Sequence, residues 1–89
     1  MPEARVKIAA EVGLHARPAA VFVKTATKQG CGVSISRPGD DPVDATSILA
    51  VLGLAIGYDE EVLLRTEGEG AEVALAELTE LLSRDDHVS

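Results

Sequence analysis

The sequence contains few of the residues that form cross-links, aromatic cores or membrane spans. Cys31 is the only cysteine among the 89 residues, so an internal disulfide and a Cys-x-x-Cys metal or redox site are both excluded. Aromatic residues make up 2% of the chain, so aliphatic side chains and alanine must fill the core. No run of about 18 apolar residues is present, which argues against membrane insertion. Because residues 1–5 also lack the apolar stretch of a signal peptide, we expect a cytoplasmic protein.

The charge of the chain is acidic overall but unevenly distributed. The net charge is −7, yet residues 1–37 carry six basic and two acidic side chains, against two basic and thirteen acidic ones in the remainder. An acidic protein binds nucleic acid poorly, so we expect no nucleic-acid partner. The basic part would attract a phosphorylated or acidic partner surface. Lys24 and Lys28, four residues apart, also fit the solvated outer face of a helix.

The apolar pattern predicts a single domain over residues 1–89, with residues 85–89 as a flexible tail. Apolar residues make up 46% of the chain, enough for one modest core. Period-two alternation predicts strands, and helical spacing predicts helices. The predicted strands cover 4–9, 32–36, 43–45 and 61–67, and the predicted helices cover 16–29, two turns from Ile48, and 71–82.

Short connections and one-sided strands predict the α+β class. The expected architecture is a largely antiparallel sheet with helices on one face, in the order β-α-β-β-α-β-α. Ser47 precedes the second helix as an N-cap residue, while Gly53 and Gly57 limit its length. Nearly every residue of that helix is apolar, which fits either burial on two sides or an exposed contact surface.

The segment from Gly13 to Ala20 contains the residues that indicate chemistry. His15 stands two residues before Arg17 and three before Pro18, which is tolerated in the first turn of a helix. A neutral imidazole has a free lone pair, and its ordinary pKa near ~6.5 leaves much of it unprotonated at cellular pH. Helix N-termini offer unpaired backbone N–H groups, and an arginine offers a planar donor fork for phosphate oxygens.

Arg17 strengthens this interpretation, since a lone histidine in a small domain is more often an ordinary surface or core residue. A cation in the first turn of a helix opposes the helix dipole, at a cost of about 0.3–1 kcal/mol. A sequence selected for stability alone would have Asp or Glu there. The unfavourable placement is explained if an anion binds at this helix end.

The segments Gly13–Ala20 and Thr46–Leu54 resemble the two signature motifs of HPr, the histidine-containing phosphocarrier family of the bacterial sugar phosphotransferase system. Phe22, the chain length, the element order and the turn at 68–70 also fit. The resemblance implies an open-faced β-sandwich, in which a four-stranded antiparallel sheet carries three helices on one face. It implies a monomeric phosphoryl carrier that is not an enzyme and needs no cofactor or metal.

The resemblance also implies roles for particular residues. His15 accepts a phosphoryl group on its δ1 nitrogen from phosphorylated enzyme I and passes it to IIA components of sugar permeases. The Arg17 side chain stabilises the phosphate, together with the backbone N–H groups of Ala16 and Arg17. Ser47 stands where a dedicated HPr serine kinase acts in some bacteria. The implied docking surface comprises Ala20, Ile48, Leu49 and Leu52, although from the residues alone Ile48, Leu49 and Leu52 would be assigned to the core.

Three departures from the family pattern are visible, and two other functions compete. Val12 stands where the family often has Ser or Asn, the turn at 37–42 is one residue longer, and Thr46 offers a second hydroxyl beside Ser47. One alternative is an HPr-like regulatory docking module without a transport role, which could also keep His15. The other is a small enzyme or metal carrier of ferredoxin-like architecture. A metal carrier would need paired cysteines, which the sequence lacks. An enzyme would need a second polar catalytic group near His15, and Arg17 is the only obvious one.

Overall fold

Four strands and three helices follow one another in the predicted order. The computed structural model describes residues 2–10, 13–14 and 16–84. Residues 85–89, predicted as a tail, lie outside the described residues. The elements are β1 (Glu3–Lys7), α1 (Ala16–Lys28), β2 (Gly32–Ser36), β3 (Val43–Asp44), α2 (Ile48–Gly53), β4 (Glu61–Glu67) and α3 (Ala71–Ser83). The predicted α+β class is confirmed.

The strands form one antiparallel sheet in the order β1-β4-β2-β3. Strand β4 is central because it pairs with both β1 and β2, bringing Val6 opposite Val62 and Ile35 opposite Leu64. Helix α3 packs against β1 and β4, while α1 packs against α2 and α3. The aliphatic core between the sheet and the helices contains one aromatic side chain, that of Phe22, which is fully buried.

Strand β1 ends at Lys7, two residues earlier than the alternating pattern predicts. Beyond it, the Ile8 N–H donates to the Glu60 carbonyl at 3.0 Å, and the Ala9 N–H donates to the Leu82 carbonyl at 3.0 Å. The chain thus leaves the regular ladder and follows the end of α3. The side chain of Ile8 is still buried although the regular strand has ended.

Gly13 makes the closest backbone approach next to the candidate site. Its φ is +70°, and a Cβ on it would lie 2.6 Å from the Ile56 carbonyl oxygen and 2.8 Å from the Gly57 Cα. The next N–H, that of Leu14, donates to the same Ile56 carbonyl at 2.9 Å. Both the left-handed φ and the lack of space require glycine at this position. The loop before β4 therefore supports the backbone that leads to α1.

Candidate functional site

Helix α1 begins at Ala16, the residue directly after His15. His15 and Val12 lie outside the described residues, so the role of the histidine stays a prediction. Pro18 is the third helical residue, where its missing N–H costs no intrahelical bond. The first N–H groups of the helix, including those of Ala16 and Arg17, have no intrahelical acceptor and are available to an anion.

Arg17 is exposed at this helix end, which has no acidic side chain in its first turn. Within the described ranges, its guanidinium makes no hydrogen bond or ion pair, so its donors are available to a ligand. Arg17 and Pro18 border an apolar groove whose floor includes Leu14 and Leu82. The N-terminus of α1 thus combines positive charge with a neighbouring apolar surface.

Ser47 is the N-cap of α2, as predicted. Its backbone is extended (φ −108°, ψ 112°), and its Oγ accepts a hydrogen bond from the Ala50 N–H at 3.3 Å. The Thr46 hydroxyl is engaged differently, because it donates to Asp44 Oδ1 at 2.7 Å. This bond, with a second one from the Thr46 N–H, holds the pKa of the Asp44 carboxyl below its ordinary value. The two neighbouring hydroxyls therefore have different surroundings.

The apolar residues of α2 divide between the core and the surface. Val51 is fully buried and Leu52 is half-buried against the core, whereas Leu49 is 79% exposed and Ile48 is 37% exposed. The assignment of Ile48 and Leu49 to the core, favoured by the residues alone, is therefore wrong. Leu52 lies at the edge of the core, so only part of it faces the predicted docking surface.

Helix α1, which packs against α2, also carries exposed residues after its first turn. Ala20 is exposed, as a docking residue requires, and α1 packs directly against α2. Val21 is 41% exposed, but it lines the apolar groove together with Leu81 and Leu82 of α3. We use the name docking surface for Ala20, Ile48 and Leu49.

Arg37 and Glu60 form a polar cluster with the backbone of residues 54–57 that was not predicted from the sequence. Arg37 donates from Nε to Glu60 Oε1 at 2.7 Å and from Nη2 to Oε2 at 3.2 Å. The same guanidinium donates to the carbonyls of Leu54 at 2.7 Å and Ala55 at 3.2 Å, and the Gly57 N–H donates to Glu60 Oε2 at 2.7 Å. Arg37 and Gly57 together hold the pKa of Glu60 below its ordinary value. The cluster therefore stabilises the fold above the ordinary carboxyl pKa and loses that contribution as the pH falls through the lowered one.

The described residues provide neither a metal site nor a membrane span. Within 2–10, 13–14 and 16–84, no three His, Cys, Asp or Glu side chains are grouped so that they could hold a metal ion. No helix in these ranges combines the length and the apolar character needed to cross a bilayer. Cys31 is partly buried against the core directly before β2, where it packs as a small apolar residue.

Comparisons with known proteins agree on one family. A family model described as the PTS HPr component phosphorylation site matches residues 2–84. A phosphocarrier protein HPr of Streptomyces coelicolor is 47% identical over 83 residues, which cover 93% of this chain and 89% of that protein. The crystal structure of an HPr from Bacillus anthracis superimposes with a TM-score of 0.86 at 37% identity, covering 91% of this chain and 95% of that one.

A regulatory relative is also similar. The structure of Crh, a catabolite repression protein of Bacillus subtilis, matches with a TM-score of 0.72 and 34% identity. The alignment covers 92% of this chain and 93% of that one, and that protein is described as a dimer with a swapped domain.

Proposed function

Because this chain belongs to the HPr family of phosphocarrier proteins, we propose that it accepts a phosphoryl group on His15 from phosphorylated enzyme I. It then passes the group to IIA components of sugar permeases. The observation that best supports this role is the start of α1 directly after His15, with the exposed Arg17 in a first turn that contains no acid. The positive end of the helix and the guanidinium would attract the same anion.

The proposed transfer requires one nitrogen lone pair and no cofactor. The lone pair of neutral His15 Nδ1 attacks the phosphorus, and a new N–P bond forms. The bond from phosphorus to the donor atom of enzyme I breaks, and its electron pair returns to the donor. Arg17 and the first N–H groups of α1 stabilise the phosphoryl oxygens, which carry negative charge throughout the transfer. The reverse sequence of bonds delivers the group to the IIA component.

Phosphorylation by purified enzyme I tests the proposal. The protein is incubated with enzyme I and phosphoenolpyruvate, and its mass is measured before and after mild acid treatment. We expect the gain of one phosphoryl group that acid removes, because a phosphohistidine is labile in acid. Addition of a IIA domain should discharge the phosphorylated protein. A protein that stays unphosphorylated would contradict the proposed function.

We propose that enzyme I and the IIA components bind the docking surface, and that Leu49→Asp weakens binding of enzyme I at least about tenfold. The change removes a leucine contact that is worth about 1.5–3 kcal/mol when fully buried, and it adds a charge that binding must desolvate. The melting temperature should change little, because Leu49 is 79% exposed. Calorimetric titration with enzyme I measures the affinity.

Val73→Asp is the matched control for this variant. Val73 is 71% exposed on α3, so its substitution also places a charge on an exposed apolar residue of a helix. Its affinity for enzyme I should equal that of the wild type. Equal weakening by both substitutions would contradict a specific role for Leu49 in binding. Unfolding of Leu49→Asp would also contradict it, because it would show that Leu49 is needed for packing of the core.

We propose Ser47, rather than Thr46, as the position at which phosphorylation would regulate the carrier. A phosphoryl group on Ser47 would lie at the N-terminus of α2, where backbone N–H groups favour negative charge. The same group on Thr46 would stand beside the Asp44 carboxylate, with which the Thr46 hydroxyl is hydrogen-bonded. On Ser47 it would also add charge at the edge of the docking surface. An HPr serine kinase is the proposed source.

Ser47→Asp should slow phosphorylation of His15 by enzyme I at least about fivefold without unfolding the protein. Aspartate caps a helix as well as serine does, so stability should be equal or higher. Burying the new charge against a partner costs about 1–3 kcal/mol, which sets the expected effect on the rate. Ser47→Ala provides the control, since it should lose about 1 kcal/mol of stability yet keep its rate. Steady-state kinetics of both variants decide between a regulatory position and a helix cap alone.

A regulatory docking module without a transport role is the second candidate function. The similarity to Crh and the exposed leucine of α2 favour it to the same degree as they favour a carrier. Transfer from the phosphorylated protein to a IIA domain separates the two, because only a carrier discharges. We propose a monomer and a cytoplasmic location, where phosphoenolpyruvate is found.

A further inference from the structure

Arg37 and Glu60 both form hydrogen bonds to residues 54–57, which follow the last turn of α2. At this turn the Leu54 N–H donates to the Val51 carbonyl and the Ala55 N–H donates to the Leu52 carbonyl. Ala55 in this segment has a φ of +53°, a left-handed conformation that is unfavourable for a residue with a Cβ. The Arg37 guanidinium satisfies the carbonyls of Leu54 and Ala55, and Glu60 fixes the Gly57 N–H. A cation at this end also complements the dipole of α2.

The same segment supports the backbone that leads to His15. The Ile56 carbonyl accepts the Leu14 N–H at 2.9 Å, and Gly13 lies so close to Ile56 and Gly57 that no Cβ would fit. The Leu14 side chain is 2% exposed, so it is fixed in the core as well. Since this contact is close-packed, a displacement of residues 54–57 must move the backbone at Leu14, one residue before the histidine.

We propose that Arg37 and Glu60 are positioning residues for phosphoryl transfer, which act through residues 54–57 on the backbone at Leu14. They touch neither phosphate nor partner in this proposal. They fix the backbone at Leu14, directly before the acceptor histidine in the sequence, and a reacting group must be held closely for efficient transfer. This inference rests on the proposed function and names residues that the transfer requires in addition to His15 and Arg17.

The experiment compares Arg37→Met and Glu60→Gln with Arg65→Met. The control removes an ion pair of similar exposure, in which Arg65 Nε lies 3.2 Å from Glu3 Oε2 and the two side chains are 41% and 49% exposed. The Arg37 and Glu60 side chains are 35% and 37% exposed. Of these two ion pairs, only Arg37–Glu60 contacts residues 54–57. If the loss of a surface ion pair were the whole cause, all three variants would be affected equally.

Two measurements are made on each variant. Hydrogen exchange of the Leu14 amide reports the bond to Ile56, and it should be faster in Arg37→Met and Glu60→Gln than in wild type or Arg65→Met. In steady-state kinetics with phosphorylated enzyme I, kcat should fall about tenfold, because misplacement of a reacting group by about 1 Å costs up to about a hundredfold. KM should stay within about twofold, since the docking surface is unchanged. Arg37→Lys keeps the cation but loses the fork, so its kcat should be intermediate.

Each outcome has a definite meaning. Faster Leu14 exchange with an unchanged kcat would overturn the positioning role, and so would Leu14 exchange equal to that of Arg65→Met. If Arg37→Met does not fold, Glu60→Gln and Arg37→Lys decide by the same two criteria. A wild-type protein that accepts no phosphoryl group in this assay would instead overturn the proposed function, and the wild-type sample in the same series distinguishes that failure.

Discussion

His15→Ala is expected to accept no phosphoryl group from enzyme I while remaining folded. The proposed reaction needs a nitrogen lone pair at this position, and alanine has none, so the loss should be complete rather than partial. The fold should survive because the neighbouring backbone is held by the bond from the Leu14 N–H to the Ile56 carbonyl, which requires no imidazole. Mass spectrometry after incubation with enzyme I and phosphoenolpyruvate measures the phosphoryl content.

A second histidine in the chain provides the control for this experiment. His87→Ala removes the other imidazole and should be phosphorylated like the wild type. Circular dichroism of both variants checks that each is folded. Acid-labile phosphorylation that persists in His15→Ala would move the acceptor to another residue and remove the main argument for the assignment.

Arg17→Glu is expected to slow phosphoryl transfer at least about tenfold without lowering stability. The substitution replaces an exposed donor fork at the start of α1 with a carboxylate that repels the phosphoryl oxygens. Glutamate also suits the first turn of a helix, so the free energy of unfolding should stay the same or rise by about 0.3–1 kcal/mol. Rapid-quench kinetics give the transfer rate, and urea titration gives the stability.

Lys24→Glu is the matched control for Arg17→Glu. Lys24 is exposed on the same helix two turns further on, and its substitution changes the net charge by the same amount. If transfer depends on general attraction of an acidic partner, both variants should be slowed equally at low salt and recover at high salt. A slow rate confined to Arg17→Glu supports direct stabilisation of the phosphate, whereas unchanged transfer would reduce Arg17 to a surface charge.

Local signals in the sequence predicted the elements and the cap of α2. Ser47 was identified from its hydroxyl before an apolar run, and the structure gives it the Ala50 N–H as donor. Alternation also predicted the strand at 61–67, and neighbours on a strand point to opposite faces. Val62, Leu64 and Thr66 are all buried. Such signals depend on residues close together in the chain.

Features that depend on distant residues could not be predicted in the same way. Arg37 was interpreted as part of a turn, and its partner Glu60 stands 23 residues away, so only the completed fold brings the two together. Leu49 and Leu52 belong to one short apolar helix, and periodicity could not separate the exposed one from the half-buried one before the position of α1 was known. Likewise, the atoms that leave no room for a side chain at Gly13 belong to Ile56 and Gly57, which are distant from it in the sequence. The histidine itself remains a prediction from its motif.

The central place of β4 determines when this protein can fold during its synthesis. Strand β1 has no neighbour in the sheet except β4, which begins at residue 61 of an 89-residue chain. A ribosome that has translated this chain as far as residue 60 has therefore produced β1 and β2 but not the strand that joins them. Until β4 emerges, α1 has no complete core to cover, and the loop to be closed spans most of the chain. The N-terminal end of α1 thus acquires its support late, when β4 completes the sheet.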